Sequence, residues 1–329
     1  MIFTAGILPE RSEKMNKSGL WILYKKELAD HLHSKRFLIV LFIIAITGLS
    51  SIFAAGKGIV EAIGKQESDT FIFLRLFTTS SGSVPSFISF MSFLGPFVGL
   101  ALGFDSINGE RNRGSLSRLM AQPIARDSII NGKFLAGVTI IALMVFVLGI
   151  AIGALGIIMT GVPPTFDELF RIFTYLLLTI FYMSFWLALS QLFSILFKQT
   201  ATSALAVVAV WLFLSIFLGL LINVLADFLY PLSNSSTLDI VLKNSKMKLY
   251  LNRISPATLY NEATLTLLNP GVRSLGFISQ EQLIGAIPSA LPFSQSLMII
   301  WPHFISLIAI NMICFTISYI YFMRQEIRA

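Results

Sequence analysis

Charge is scarce in this chain of 329 residues: 12% are Asp, Glu, Lys or Arg, against roughly 25% in a soluble globular domain. With 55% of its residues apolar, the chain is not an ordinary soluble domain of this length, and a bilayer is the expected solvent. Cysteine is nearly absent too. The single Cys314 excludes an internal disulfide and any zinc or iron–sulfur framework built on several thiolates, and its apolar neighbours mark it as a packing residue. The three histidines, His31, His33 and His303, form no HExxH pair, so metalloprotease chemistry lacks its ligands. Chemistry of the chain's own therefore finds little support, and no metal or cofactor site is expected. A phosphate-cradling loop is missing as well. Gly58 to Lys65 (GIVEAIGK) places five residues between its glycines where GxxxxGK[ST] requires four.

What the chain does have is long apolar runs. A bilayer core of about 30 Å takes roughly 20 helical residues, and six segments free of Asp, Glu, Lys and Arg approach that length: 37–55, 87–104, 134–159, 173–197, 204–225 and 298–323. The expected fold class is an all-α polytopic membrane protein with six transmembrane helices, multi-pass in the cell membrane. An ion-coupled carrier keeps ionisable groups inside its spans. Here the span interiors hold none, and His303 and Asn311 in the sixth are the strongest polar residues.

Lys and Arg accumulate in cytoplasmic connections. Fifteen of the 24 fall on one side: seven before residue 37, Arg111, Arg113, Arg118, Arg126 and Lys133 in the second connection, then Lys198, Arg324 and Arg328. Of the nine on the other side, five lie in one connection of about 70 residues, where the rule has little force. Both termini are therefore expected in the cytoplasm. The net charge of +7 flanks apolar runs, which suits anionic headgroups better than nucleic acid.

Residues 1–16 are read as a flexible tail and 17–36 (KSGLWILYKKELADHLHSKR after Asn16) as an amphipathic helix lying in the membrane interface. Trp21, Tyr24, Leu28 and Leu32 recur at helical spacing, with Lys25, Lys26, Glu27, Asp30 and His33 opposite. Its polar face, Lys25 and Glu27 with Trp21 and Tyr24 beside them, is either a membrane anchor or a contact for a partner subunit. Residues 37–225 hold the first five spans. Within them the connection Asp105 to Lys133 carries a short helix with Leu116, Leu119 and Met120 on one stripe, ended or turned by Pro123. A stripe of that kind on a cytoplasmic helix must be covered by lipid or by a protein.

The run Asn108-Gly109-Glu110-Arg111-x-x-Gly114-Ser115-Leu116-x-x-Leu119, then Gln122-Pro123-Ile124-x-Arg126 and Gly132-Lys133, resembles the first cytoplasmic loop of type-2 ABC exporter permeases. Six spans, an interfacial N-terminal helix and inside termini are also similar to that family, so the resemblance covers nearly the whole chain. It implies a coupling helix seated in a groove of a separate P-loop ATPase subunit, present in two copies, which binds the ATP and magnesium. Glu110, Arg111 and Arg113 are then polar contacts, Leu116, Leu119 and Met120 apolar ones, and the N-terminal helix the second contact. Six spans with no polar interior leave little room for a path within one bundle, so a second permease chain, identical or paralogous, is expected, with the transport path between the two.

Residues 226–297 form an outer segment, expected as a cap or a substrate-recognition element, and residues 298–329 the last span and tail. In the outer segment Pro256 begins a helix with Leu259, Ala263, Leu265, Thr266 and Leu268 on one face, ended by Asn269-Pro270-Gly271; LIGAIPSALPF (283–293) is too interrupted to span and is a candidate for dipping into the outer leaflet. Phe90, Phe93 and Phe97 follow Phe87 at roughly helical spacing in the second span. With His303 and Asn311 they are the candidates for a path, which would then suit a hydrophobic or amphipathic cargo such as a drug, peptide or lipid-like molecule. A rival reading is a membrane-embedded scaffold or sensor that works with an ATPase on an envelope protein and moves no small solute.

Overall fold

The computed structural model describes residues 8–63, 71–80, 84–122, 124–232, 237–271 and 290–325. Pro123, most of LIGAIPSALPF and Arg328 lie outside them. The described elements are helices: α1 (Leu8–Leu32), α2 (Lys35–Ile63), α3 (Ile72–Thr78), α4 (Phe87–Gly103), α5 (Asn108–Asn112), α6 (Ser115–Met120), α7 (Arg126–Thr160), α8 (Phe166–Leu196), α9 (Thr200–Leu212), α10 (Leu218–Leu229), α11 (Leu238–Asn252), α12 (Pro256–Leu268) and α13 (Phe293–Arg324). All six apolar runs are helices long and apolar enough to cross a bilayer, the fifth being α9 and α10 joined by a π-helical turn at Phe213–Phe217. Helix α1 begins at Leu8, inside the segment read as a tail. Pro9 in the first turn suits a helix start, and no glycine interrupts the chain from there to Gly19.

Helix α8 is the hub. Two-thirds of its apolar window is buried, against 17% of that of the fifth span, and α4, α7, α9, α12 and α13 all pack on it. It opens on a capping box: the Glu168 amide donates to Thr165 Oγ1 at 3.3 Å and the Thr165 amide to Glu168 Oε2 at 2.8 Å. These bonds satisfy donors that a helix start leaves open. The close approach of α4 depends on Gly99, where a Cβ would sit 2.6 Å from the Leu187 amide nitrogen and 2.7 Å from the Met183 carbonyl oxygen. Small residues let membrane helices meet backbone to backbone in this way.

Pro96 interrupts α4 and cannot donate to the carbonyl four residues before it. That carbonyl belongs to Ser92, and the buried Tyr182 hydroxyl donates to it at 2.8 Å. The proline is thus accommodated by a tyrosine of the neighbouring helix.

The outer segment contains more than a cap. Tyr260 of α12 stacks on Tyr182 with ring centroids 4.4 Å apart and meets Thr179 Oγ1 at 2.9 Å. Tyr182 lies sixteen residues into α8, about 24 Å along it at 1.5 Å per residue. Helix α12 therefore enters the bundle among α4, α8 and α13. Leu259, Tyr260, Ala263, Thr264, Thr266, Leu267 and Leu268 are buried, so of the residues placed on its packing face from sequence only Leu265 is exposed.

One end of the bundle collects α1, the 104–126 connection, the turn at 197–199 and the last turn of α13; we call it the basal end. Arg126 fixes this arrangement by donating to the Gln325 carbonyl at 2.7 Å. The opposite end holds α3, the start of α8, the start of α11 and the start of α13, and α11 runs back along α10 until Asn252 comes beside Gly219.

Candidate functional site

At the basal end the 105–133 connection folds into an elbow. Gly114 takes the left-handed conformation, φ +68°, which glycine adopts without penalty, and so turns α5 into α6. The elbow is fastened to the end of α8. The Ile107 and Asn108 amides both donate to Ser194 Oγ, at 3.0 and 3.1 Å, and the Asn112 side chain donates to the Lys198 carbonyl at 3.1 Å. Arg36 pairs with Asp105, and Arg111 donates to the Gln325 side chain.

The apolar stripe of the elbow is divided. Leu116 is fully buried with Leu23, Ile107, Ile129, Ile130, Ile195 and Phe322, and Leu119 and Met120 pack half-buried on the same cluster. On the surface are Asn112, Arg113 and Arg118. Of the three charged residues expected to meet a partner, Arg113 is exposed, Arg111 is half-buried, and Glu110 points inward.

Glu110 belongs to a buried ionic cluster. The Lys133 ammonium lies 2.8 Å from Glu110 Oε1 and 2.9 Å from Glu27 Oε1, with all three side chains 5–8% exposed. Lys26 joins from the rim, 3.0 Å from Glu27 and 3.6 Å from Glu110. Three elements separated in sequence, α1, α5 and α7, are thereby held by one ammonium. Burial works against the Lys26 ammonium, yet the carboxylates of Glu27, Glu110 and Asp30 raise its pKa above the ordinary lysine value. Burial likewise works against the Glu27 carboxylate, and Lys133 and Lys26 outweigh it, holding its pKa below the ordinary value.

Helix α1 presents Leu23 and Glu27 to α7 and Gly19 to Ile124 just before it, and turns Trp21, Ile22, Lys25 and Lys26 outward. Trp21 is 54% exposed, stacks on Tyr24 and carries the Lys25 ammonium over its ring, while Tyr24 donates to Thr139 at 3.1 Å. Trp21, Tyr24, Leu28 and Leu32, read as one face, are thus split by the close seam with α7. There Gly132 brings its own backbone near Leu23 and Tyr24.

Acid is expected to open this seam. His31, half-buried at the end of α1, has its pKa lowered mainly by burial, so a chain whose α1 has undocked takes up a proton more readily than the docked one. Stability is then full above the ordinary histidine value of 6.5 and declines as the pH falls from there towards the lowered pKa. Glu27 adds a second loss, beginning below the ordinary glutamate value of 4.5. With the intrinsic pH dependence of exchange divided out, the protection factors of α1 amides should fall between pH 7 and pH 4 ahead of those of α8; an equal fall in the two would refute the local origin.

A second polar cluster sits at the opposite end. Arg171, 0% exposed, donates to Asp167 at 2.6 Å, to the Leu267 carbonyl at 2.8 Å, to Ser296 Oγ at 3.0 Å and to the Leu291 carbonyl at 2.6 Å. Nearby, Glu262 Oε2 receives Arg253 Nε at 2.9 Å and meets His303 Nε2 at 2.7 Å. His303 is therefore held by α12. Asn311 is buried and donates to the Phe181 carbonyl at 3.4 Å. The aromatic stripe is elsewhere: Phe93 is exposed, Phe90 and Phe97 are half-buried, and Phe93 and Phe97 pack on Trp211 of α9 with centroids 5.1 and 4.7 Å away. Phe87 turns inward to Phe77 and Tyr175. The structure does not gather the five candidates for a path into one site.

Lys133 entered the sequence reading only in the count of basic residues and in the Gly132-Lys133 end of the motif, without a site role, and Arg171 was not singled out. Arg171 carried a signal, since it follows Thr165-x-x-Glu168 and stands four residues after Asp167. Lys133 and Glu27 are 106 residues apart, and no local pattern joins them.

A bundle of six apolar helices, bolted at one end by an ionic cluster beneath an exposed basic elbow, defines a multi-pass membrane protein. The chain belongs to the ABC-2 family of transporter proteins, whose family model matches residues 21–327. It is 31% identical over 146 residues, 44% of its length and 48% of the relative's, to a probable ABC transporter permease protein NosY of Stutzerimonas stutzeri. It is 32% identical over 141 residues, 42% of its length and 46% of the relative's, to the protein of the same name in Pseudomonas aeruginosa. These alignments span about half the length of the curated relatives.

Proposed function

We propose that this chain is the permease subunit of an ATP-driven transporter, with both termini in the cytoplasm and a separate ATPase docked on the elbow at 105–133. The observation that carries the reading is the Glu110–Lys133–Glu27 cluster. It makes the exposed Asn112–Arg113 corner and the base of α7 one mechanical body, so a displacement of the elbow is delivered to a membrane span and to α1 together. A loop that only connected two spans would need no such joint.

Two ATPase copies closing on ATP would draw together the elbows of two permease chains, identical or paralogous, and exchange the accessible side of the space between them. The stripe of Phe90, Phe93 and Phe97, exposed at Phe93 and half-buried at the other two, supports a hydrophobic or amphipathic cargo, since aromatic faces bury large apolar area. Export is the direction that fits such a cargo drawn from the membrane. Catalysis resides in the partner, which holds ATP and magnesium.

The test uses the full chain purified in mild detergent, with mass spectrometry of soluble proteins that accompany it. Arg113→Glu/Ser117→Glu places negative charge on the elbow surface without touching Leu116, whose replacement would damage the core. A P-loop ATPase that accompanies the wild type and is lost from the variant supports the reading. An ATPase retained equally by both displaces docking from the elbow.

A further inference from the structure

Between α1, the start of α2, the end of α4 and the elbow lies a groove of about 800 Å³. Six basic and four acidic side chains line it. The four acidic ones are engaged: Glu27 and Glu110 by Lys133, Asp30 by Lys26, and Asp105 by Arg36. Lys35, Arg113 and Arg118 meet no carboxylate among the described residues, so the groove keeps an excess of positive charge at its exposed rim. At its inner wall the opposite need exists. Glu110 Oε2 is buried and accepts no hydrogen bond among the described residues, an arrangement that is unfavourable when left unmet. Ile22, Leu102 and Leu119 give the groove apolar wall. Its level is that of the membrane boundary, because α2 and α4 enter the apolar bundle from it.

We propose that this groove binds the headgroup of an anionic phospholipid, with the phosphodiester at Lys35, Arg113 and Arg118 and a hydrogen-bond donor of the headgroup, such as a glycerol hydroxyl, on Glu110 Oε2. The three elements of the match are independent: a net positive rim suits one phosphodiester charge, the unmet carboxylate oxygen selects a headgroup that donates, and the apolar wall suits a ligand anchored in the bilayer. The site stands whether or not an ATPase docks on the elbow. A bound headgroup would fill the wedge between α1 and the elbow and so set the stiffness of that joint by local lipid composition.

Native mass spectrometry of the full chain, exchanged into mixed micelles of phosphatidylglycerol, phosphatidylethanolamine and phosphatidylcholine, tests the proposal. Phosphatidylglycerol should be retained at least tenfold over phosphatidylcholine, which has neither net charge nor a donor, with phosphatidylethanolamine between them. Lys35→Gln/Arg118→Gln should reduce that preference at least fivefold, and Lys35→Arg/Arg118→Lys, which keeps the charges, should restore it; a melting temperature close to wild type checks the fold of each. Equal retention of the lipids, or an unchanged preference in the glutamine variant, overturns the proposal. Displacement of phosphatidylglycerol by millimolar inorganic phosphate assigns the groove to a free anion and overturns the lipid. Loss of the ATPase from the glutamine variant with lipid retention intact makes the groove a protein contact and equally overturns it.

Discussion

Lys133→Met is expected to destabilise the chain by about 3–5 kcal/mol, the range for removing one partner of a buried ion pair. The substitution leaves Glu27 and Glu110, both nearly inaccessible and both within 3 Å of the lost ammonium, as two carboxylates facing each other across a small space. Lys26 remains, but it is half-exposed and 3.6 Å from Glu110, so it cannot stand in for both contacts. The electrostatic origin has its own control. Lys133→Met combined with Glu27→Gln and Glu110→Gln removes the stranded charges and should recover most of the loss, because a buried ion cluster exchanged as a whole for neutral groups of similar volume is often close to neutral. Thermal unfolding of the three proteins in one detergent checks this. A triple variant no more stable than Lys133→Met would show that the lysine stem, not its charge, holds the joint.

Arg171→Met should produce a loss of similar size, at least 3 kcal/mol, confined at first to the opposite end. One guanidinium there satisfies two backbone carbonyls, a serine hydroxyl and Asp167. Each buried acceptor left without its donor costs about 1–3 kcal/mol. The carbonyls belong to Leu267 at the end of α12 and Leu291 just before α13, so the fastening of the inserted helix is what fails. Limited proteolysis between residues 226 and 297 should accelerate in the variant while α1 and α7 keep their protection. Arg171→Lys should rescue little, since an ammonium lacks the planar fork that reaches several acceptors at once. Rescue by lysine to wild-type resistance would reduce the role of Arg171 to its pair with Asp167.

The two sites differ in how far the chain announced them. The elbow was legible through the spacing of Leu116, Leu119 and Met120 ahead of Pro123, because a short apolar helix and its stop are local requirements; the left-handed turn at Gly114 was not read from sequence. Which way that helix faces was not legible either. Leu116 and Glu110 point inward because α7, α8 and α13 happen to supply Ile129, Ile195, Phe322 and Lys133 at that level; Ile195 and Phe322 lie far along the chain, and the proximity of Ile129 and Lys133 in sequence does not say that they fold back onto the elbow. The same holds for Tyr182, whose hydroxyl answers the carbonyl freed by Pro96 in another helix, and for His303, taken by Glu262 of α12.

Composition and the length of the apolar runs determined by themselves that this chain is a six-span helical membrane protein, since a bilayer permits a backbone little choice other than helices of about 20 apolar residues. The pattern around residues 105–133 pointed to its family. Tertiary structure alone decided which charges are buried and paired, that α12 lies within the bundle, and that one lysine joins α1, the elbow and α7. In a membrane protein the hydrophobic pattern fixes which segments enter the lipid but is nearly silent on how they turn against one another. That choice rests on close backbone approach, as at Gly99, and on single polar contacts between residues far apart in the chain.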